Sequence, residues 1–277
     1  TADGLMPKIA LLQITSGIDP DANTRTLVEA IGQAAEQGAT MLFTPEMSGL
    51  LDRDRKRAAA EVTTEARSPV LAAVREAAQA RNIWVSLGSL ALDTGEGRWA
   101  NRGFVIDSEG TIRARYDKIH MFDVDLDSGE SWRESNAYKA GGGAVSVPDT
   151  PLGRLGLTIC YDIRFPALFD ALGRERCDVI AIPAAFTVPT GKAHWHVLQR
   201  ARAIEASAFV VAAAQVGEHA DGRRTYGHSL VVDPWGEVLL DMGGDAAGLA
   251  FCDIDLARIA EVRAQVPSLA NRRQIAN

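Results

Sequence analysis

Short apolar segments that alternate with helix-like stretches limit the folds open to this chain more than any other feature. In the first third of the chain these segments are strand-length and aliphatic, and they occupy residues 9–14, 40–43 and 83–87. Continuous apolar runs of this kind are typical of strands buried on both faces. The stretches between them predict helices over residues 23–37 and from Pro69, with Ser68 as the N-cap. The alternation predicts a layered α/β domain.

The remainder of the chain adds further strands, two hairpins and one long loop. Strands are predicted over residues 155–159, 179–182, 209–213 and 248–254, and helices over residues 192–206 and from about Asp255. Turn-forming residues between apolar runs predict hairpins at residues 107–110 and 233–236. Residues 121–143 are polar and irregular, and a loop this long inside a compact domain is usually functional or disordered. Because no linker or repeat divides the chain, we predict a single domain over residues 1–277.

Charge and cysteine usage exclude several classes of protein. The chain carries 29 lysines and arginines against 36 aspartates and glutamates, a net charge of −7, which disfavours nucleic acid and anionic membranes as partners. Three separated cysteines without a CxxC pair argue against disulfides and structural zinc. No signal peptide or membrane-spanning run is recognisable, so we predict a cytoplasmic protein with reduced thiols. His194 and His196 fall on opposite sides of a predicted helix and cannot share one ion, so no metal is expected.

Three reactive side chains occur where an apolar strand gives way to polar chain. Glu46 follows the strand at 40–43, Lys118 follows the second strand of the first hairpin, and Cys160 follows the strand at 155–159. Ligands of open α/β sheets bind beyond the carboxyl ends of the strands, so such positions suit chemistry. Taken singly, a glutamate or lysine here is usually a solvated charge, and a cysteine is usually a small packing residue.

Taken together, the three residues form a complete set for acyl transfer. A thiol attacks well only as a thiolate, and a carboxylate can remove its proton and return it to a leaving amine. An ammonium group and the backbone N–H of Tyr161, directly after the nucleophile, can stabilise an oxyanion. His228 with Cys160 would suggest a cysteine–histidine hydrolase instead. The two remaining cysteines, Cys177 and Cys252, have no neighbouring polar constellation and are expected to be packing residues.

The same three segments resemble the nitrilase (carbon–nitrogen hydrolase) superfamily, and the resemblance covers nearly the whole chain. The family's glutamate lies in a Pro-Glu pair, its lysine in a Tyr-x-Lys-x-His segment, and its nucleophile in Cys-Tyr-Asp-x-Arg-Phe-Pro. The matching segments are Pro45-Glu46, residues 116–123 and residues 160–166. The resemblance implies an αββα sandwich that pairs through its nucleophile-bearing face into an αββααββα homodimer, without a cofactor. It also implies a second glutamate near the lysine, which we assign to Glu134, with Glu130 as the rival assignment.

Segments in the C-terminal third resemble the Nit branch of this superfamily. Among them are residues 185–187, 200–205, 212–215, 226–229 and 231–236. This branch contains deaminated-glutathione amidases and ω-amidases acting on α-ketoglutaramate. The sequence around Gln215 and at residues 226–229 more closely resembles that of the deaminated-glutathione amidases. Ala206-Ser207 departs from relatives that carry asparagine after Glu205.

The expected activity is cleavage of a small, carboxylate-bearing linear amide to an acid and ammonia through a cysteine thioester. Arg164, Phe186 and Thr187 are predicted to contact the substrate, because a guanidinium suits bidentate capture of a carboxylate and the other two lie in a Nit-like segment. A salt bridge that orders the loop after Cys160 is an equal alternative for Arg164. Arg202 and Glu205 are predicted to pair with each other or across a dimer. General aliphatic amidase, N-carbamoyl hydrolase, nitrilase and a non-catalytic scaffold remain alternatives.

Overall fold

The computed structural model describes residues 6–273 and 275, and within them it contains six α-helices and seventeen strands. The helices are α1 (Pro20–Glu36), α2 (Arg55–Glu61), α3 (Pro69–Arg81), α4 (Pro166–Arg174), α5 (Val188–Ala206) and α6 (Ala257–Gln265). The strands are β1 (Lys8–Gln13), β2 (Met41–Phe43), β3 (Thr63–Thr64), β4 (Trp84–Asp93), β5 (Trp99–Ile106), β6 (Ile112–Asp117), β7 (Asp123–Asp125), β8 (Ser131–Arg133), β9 (Val145–Thr150), β10 (Gly153–Leu157), β11 (Val179–Ala181), β12 (Phe209–Ala212), β13 (Val216–Glu218), β14 (Arg224–Tyr226), β15 (Leu230–Val232), β16 (Val238–Asp241) and β17 (Gly248–Asp253).

Two large mixed sheets form the centre of the molecule. The first has the order β17-β1-β2-β4-β5-β6, with β3 paired to β4, and its strands β1, β2 and β4 run parallel. The second has the order β16-β15-β12-β11-β10-β9, and its strands β10, β11 and β12 run parallel. Two short hairpins, β7-β8 and β13-β14, lie outside these sheets.

Two apolar cores show how the layers are stacked. One core joins the inward side chains of the first sheet to those of helices α1 and α3. The other joins the opposite face of the first sheet, through Ile9, Leu11 and Met41, to the second sheet and to α4 and α5. Because successive strand side chains point to opposite faces, both faces of β1 are buried, which explains its continuous apolar sequence. The layers therefore follow the order α-β-β-α, as the resemblance implies.

Capping residues set the starts of the two helices that pack on the first sheet, and α1 begins at Pro20, three residues before the predicted residue 23. The Asp19 side chain accepts hydrogen bonds from the backbone N–H groups of Asp21 and Ala22 at the start of α1. Ser68 caps α3 through Leu71 N, with Pro69 as its first residue, so this predicted boundary is confirmed. Helix α5 begins at Val188, before the predicted residue 192, since Pro189 is compatible with a first helical turn.

Both predicted hairpins are present, but the irregular loop and the set of helices need correction. The loop at 121–143 contains the β7-β8 hairpin and a 3-10 turn over Glu134–Asn136. Helices α2 and α4 were not predicted, because each is short and lacks a long periodic pattern. No helix among the described residues is long and apolar enough to cross a membrane. The predicted lack of a signal peptide rests partly on residues 1–5, which lie outside the described residues.

Candidate active site

Glu46, Lys118 and Cys160 are brought together at one end of the two sheets. Glu46 follows β2 by three residues, Lys118 directly follows β6, and Cys160 opens a 3-10 turn beyond β10. All three side chains line one cavity of about 250 Å³. They are almost completely buried, with exposed fractions of 5% for Glu46, 2% for Lys118 and 7% for Cys160. Glu46, Lys118 and Cys160 are far apart in the sequence, and the packing of one sheet on the other brings them together.

The lysine lies between two carboxylates. Its Nζ donates to Glu46 Oε1 at 2.9 Å and to Glu134 Oε2 at 2.9 Å. Glu134 Oε2 also accepts the backbone N–H of Phe122 at 2.7 Å, which fixes the carboxylate. Glu130 instead bonds the exposed Ser128 hydroxyl and does not line the cavity. The structure thus brings Glu134, and not its rival, to the lysine.

Asn101 is a member of this cluster that sequence reasoning missed. It lies fully buried on β5, and its Nδ2 donates to Glu46 Oε1 at 2.9 Å and to Glu134 Oε1 at 3.1 Å. Its backbone carbonyl oxygen accepts the backbone N–H of Lys118 at 2.9 Å. The only sequence signal is a buried-strand pattern interrupted by one asparagine. Asn101 holds both carboxylates at a fixed separation from the lysine.

The charges of the cluster are set by burial and by their mutual contacts. Burial alone would raise the pKa of Glu46, but the charge and hydrogen bond of Lys118 outweigh it and the net pKa is lowered. Burial would lower the pKa of Lys118, yet the two carboxylates hold it well above its usual value. Burial, reinforced by the negative charge of Glu46, raises the pKa of the Cys160 thiol well above its usual value. The resting site therefore holds a thiol, two carboxylates and an ammonium group.

The turn that carries Cys160 is strained and tightly anchored. Cys160 has a φ of 47°, in the left-handed region that L-residues seldom adopt, and its N–H donates to Pro183 O at 2.8 Å. The fully buried Asp162 accepts hydrogen bonds from Ile159 N at 2.9 Å and Tyr116 Oη at 2.6 Å. Asp162 also contacts the backbone N–H and ring Nδ1 of His120, at 3.1 Å and 2.7 Å. Since Tyr116 and His120 flank Lys118, Asp162 ties the cysteine turn to the lysine segment.

The mouth of the cavity is rich in positive charge. Five arginines line the cavity, namely Arg53, Arg55, Arg133, Arg223 and Arg224. Arg133 and Arg223 are paired with aspartates, whereas Arg53, Arg55 and Arg224 form no salt bridge within the described residues. The Arg53 and Arg223 guanidinium groups lie over the Trp132 ring, 5.2 Å and 4.9 Å from its centroid. These groups can attract and orient an anionic substrate.

The predicted substrate contacts are partly brought to the cavity. Tyr161, Phe186 and Thr187 line it. Arg164 does not; its guanidinium lies 5.3 Å from the Phe186 ring centroid, and its Nη1 is 3.2 Å from His194 Nδ1. Arg164 thus contacts Phe186, a residue that lines the cavity, without lining the cavity itself. Arg164 forms no salt bridge within the described residues, so these contacts support neither the predicted carboxylate capture nor the predicted salt bridge.

The other singled-out residues lie elsewhere. His194 and His196 bond to different partners, Arg164 and Asp241, as their positions on one helix require. His228 does not line the cavity that holds Cys160, so the cysteine–histidine alternative has no geometric support. Cys177 belongs to the main core and Cys252 packs against it. Arg202 pairs with Glu205 at 2.8 Å, as predicted.

The fold and the buried cysteine–glutamate–lysine cluster define a class of thiol hydrolases. The model of the carbon-nitrogen hydrolase family matches residues 8–264. A deaminated glutathione amidase from Yersinia enterocolitica is 40% identical over 275 residues, which cover 97% of this chain and 94% of the relative. The chain belongs to the carbon–nitrogen hydrolase family, and it is a hydrolase of amide carbon–nitrogen bonds.

Solved structures support the same conclusion. The NitFhit protein of Caenorhabditis elegans superposes with a TM-score of 0.87 at 39% identity, and the match covers 96% of this chain and 65% of that one. An amidase from Nesterenkonia sp. AN1, 26% identical, superposes with a TM-score of 0.79 over 94% of this chain and 98% of its own. That amidase, as a glutamate-to-glutamine variant, carries acrylamide added to its active-site cysteine.

Proposed function

We propose that this protein is a thiol amidohydrolase for small carboxylate-bearing linear amides, with deaminated glutathione as its best candidate substrate. One observation carries the proposal: the cavity that holds the buried Cys160 is also lined by Arg53, Arg55 and Arg224, which form no salt bridge within the described residues. A net charge of −7 would repel an anionic substrate, so attraction must come from such local groups. The similarity to deaminated glutathione amidases over nearly the whole chain supports the same substrate.

The first half-reaction forms a thioester. Glu46 removes the proton from Cys160, and the sulfur attacks the amide carbon. The developing oxyanion is stabilised by Lys118 Nζ and by the backbone N–H of Tyr161. Glu46 then returns its proton to the nitrogen, the carbon–nitrogen bond breaks, and the amine or ammonia leaves.

The second half-reaction regenerates the enzyme. Glu46, now a carboxylate again, removes a proton from a water molecule that attacks the thioester carbon. The same two donors stabilise the second oxyanion. When the carbon–sulfur bond breaks, the sulfur recovers the proton from Glu46 and the acid product departs. Glu134 and Asn101 act by holding Lys118 and Glu46 in place.

The identity of the leaving group separates the substrate candidates. A primary amide such as α-ketoglutaramate releases ammonia, whereas the peptide-like amides of deaminated glutathione have a substituted nitrogen and release an amine. Expecting ammonia alone is therefore too narrow for the favoured substrate. An assay must detect the acid and amine products directly, by mass spectrometry, alongside ammonia release.

A substrate panel tests the proposal. We expect the highest kcat/KM with deaminated glutathione and lower values with α-ketoglutaramate, neutral aliphatic amides, N-carbamoyl amino acids and nitriles. Turnover should be lost in Cys160→Ala, and full activity of that variant would contradict the mechanism. Preference for neutral amides over both carboxylate-bearing ones would overturn the substrate assignment. Absence of turnover and of any covalent adduct on Cys160 would favour the scaffold alternative.

The arginine-lined mouth is tested by one substitution. Arg53→Met removes an unpaired guanidinium, and hydrogen bonds to charged groups contribute roughly 1.5–3 kcal/mol. We therefore expect kcat/KM for a carboxylate-bearing amide to fall about 10- to 100-fold, mainly through KM, while a neutral amide is unaffected. The control is Arg25→Met on the exposed side of α1. Equal losses of kcat/KM with charged and neutral amides would show that Arg53 does not bind the substrate carboxylate.

We also propose that the chain forms a homodimer through the α5–β16 face. This face presents the exposed apolar side chains of Val197, Ile204, Trp235, Val238 and Leu239. Helix α5 packs on the nucleophile turn, since Arg202 Nε donates to Ile163 O at 2.7 Å, so this face is the nucleophile-bearing one. Light scattering should show a dimer that Val197→Glu dissociates and that Val28→Glu, exposed on α1, leaves intact.

A cytoplasmic location is proposed from cysteine usage. Cys160, Cys177 and Cys252 form no disulfide, and a nucleophilic thiol requires a reducing compartment to stay active. Fractionation of cells that express the tagged protein tests this location.

A further inference from the structure

His196, His228 and Asp241 converge on the surface away from the catalytic cavity. His196 lies on α5, His228 in the segment before β15, and Asp241 at the end of β16. One nitrogen or oxygen from each lies within 4.8 Å of the others. None of the three lines the cavity that holds Cys160. We propose that these three residues form a binding site for a divalent transition-metal ion, with Zn²⁺ as the best match.

The separations of the two histidine nitrogens from Asp241 Oδ2 match those between neighbouring ligands of one bound ion. His196 Nε2 is 2.9 Å and His228 Nδ1 is 3.2 Å from Asp241 Oδ2. Zinc binds imidazole nitrogen and carboxylate oxygen at about 2.0–2.2 Å, so two ligands at tetrahedral or octahedral angles lie about 3.0–3.4 Å apart. Two imidazoles and one carboxylate form a donor set that transition metals prefer to Mg²⁺ or Ca²⁺.

The three ligands are held before any ion arrives. His228 N donates to Gly243 O at 2.8 Å, and His228 O accepts Trp195 Nε1 at 2.8 Å. The Tyr226 ring stacks on the His228 ring with a centroid separation of 4.4 Å. Asp241 Oδ1 accepts the backbone N–H of Gly243 at 2.9 Å and also lies 2.9 Å from His228 Nδ1, which orients the carboxylate toward the two imidazole rings. His196, on the surface of α5, is held by its contact with Asp241 Oδ2 and by edge-on packing of its ring against the rings of Tyr226 and His228.

Charge balance favours a cation at this point. Within the described residues Asp241 is paired with no lysine or arginine, and its salt-bridge partners are the two histidines alone. With neutral imidazoles the cluster carries one negative charge. On metal binding, His196 presents the lone pair of Nε2 and His228 that of Nδ1, so each ring carries its proton on the other nitrogen. The three side chains are partly exposed in the single chain, and because His196 and Asp241 belong to the α5–β16 face of the proposed dimer, water held at that face fills the remaining coordination positions.

A bound ion would connect α5 to β16 and so stiffen one wall of the active site. The N-terminal end of α5 carries Thr190, which lines the catalytic cavity, and Thr187 precedes it. An ion that links His196 to Asp241 thus joins the helix behind this wall to the second sheet. The role assigned is structural, because the ion lies outside the catalytic cavity.

Titration of the whole protein with Zn²⁺ and with Co²⁺ tests the site. Calorimetry should show one Zn²⁺ per chain, Co²⁺ should develop visible absorption bands, and Zn²⁺ should raise the thermal midpoint. These measurements are made on Cys160→Ala as well as on the native chain, so that binding at the catalytic thiol is recognised separately.

Matched variants decide the outcome. His196→Gln should weaken Zn²⁺ binding by more than about 10-fold, because changes even to groups behind metal ligands cost about 10- to 100-fold. His194→Gln, two residues away on the same helix, should bind as the native chain does. His196 is on the helix surface, so its variant is expected to keep the fold, which circular dichroism verifies. Absence of stoichiometric binding, or equal binding by His196→Gln and the native chain, would overturn the proposal.

Discussion

Replacement of Glu134 by glutamine is the most informative single change to the catalytic cluster. In the native cluster, Glu134 Oε2 accepts hydrogen bonds from Lys118 Nζ and Phe122 N, and Oε1 accepts one from Asn101 Nδ2. Glutamine has the same shape but one of its two terminal atoms is a donor. With its oxygen at the Oε2 position, its NH₂ group meets the Asn101 NH₂ group. The Asn101 side-chain amide cannot flip to avoid this contact, because its oxygen would then face the carboxylate of Glu46.

The size of the effect follows from the 2.9 Å contact between Lys118 and Glu134. At an effective dielectric constant of about 20, two unit charges at this distance attract by roughly 6 kcal/mol, an upper bound on the pair's net worth. Removing one partner of a buried pair generally costs about 3–5 kcal/mol, because a charge is left uncompensated. Glu46 remains beside the lysine and recovers part of this, so we expect a stability loss of about 2–3 kcal/mol.

Activity should decline more steeply than stability. With Glu134 neutral, Lys118 pairs with Glu46 alone, which makes Glu46 a weaker base and turns the ammonium away from the oxyanion. We expect kcat to fall about 100- to 1,000-fold, equivalent to about 3–4 kcal/mol of transition-state stabilisation, with KM changed less than threefold.

The assay is steady-state amide hydrolysis on protein whose native fraction is fixed by urea unfolding. Glu130→Gln is the matched control, because Glu130 lies in the same loop and bonds only the exposed Ser128 hydroxyl. That variant should retain native kcat and stability. Native activity in Glu134→Gln, or loss of activity in Glu130→Gln alone, would refute the reasoning from the lysine contacts.

Three further predictions follow from the same contacts. Asp162→Asn should lower the free energy of unfolding by about 3 kcal/mol, measured in urea, because its NH₂ group must face either Ile159 N or His120 N. The lowered pKa of Glu46 keeps this base ionised as pH falls, so kcat/KM should decline only below about pH 4.5, and a limb near pH 7 would contradict this. Fluoroacetamide should add one acetamide per chain, at Cys160, which lines the cavity beside Glu46; Cys177 is fully buried in the core and should stay unmodified in peptide mass maps.

The strands and the three reactive residues were predictable for one physical reason. Burial on both faces forces a continuous apolar run, and chemistry at the sheet edge forces a polar residue to end it. Glu46 and Cys160 are such interruptions, and family motifs around them make the pattern specific. Short helices such as α2 could not be predicted in this way, because seven residues contain too few turns to show a clear helical periodicity of apolar residues.

The supporting residues were not predictable because their roles come from contacts distant in sequence. Asn101 meets Glu46 across 55 residues, and Arg53 meets Trp132 from another loop. Asp162 lies within a recognised motif, yet its role as the tie to Tyr116 depends on packing between the two sheets. The pairing of His196 with His228 and Asp241 likewise needs the register of β15 and β16.

The raised pKa of Cys160 is consistent with its role as nucleophile once the charge of the whole cluster is considered. The pKa describes loss of the proton to water, which would change the buried cluster from a net charge of −1 to −2, and burial opposes this. Transfer to Glu46 instead converts thiol and carboxylate into thiolate and carboxylic acid, and the net charge stays at −1. Lys118 contacts Glu46 and Glu134 before the transfer; afterwards it keeps its contact with Glu134, while the charge of Glu46 has moved to the neighbouring Cys160 thiolate. The cluster therefore forms the thiolate as substrate is attacked, rather than keeping one in a resting site where other electrophiles would consume it.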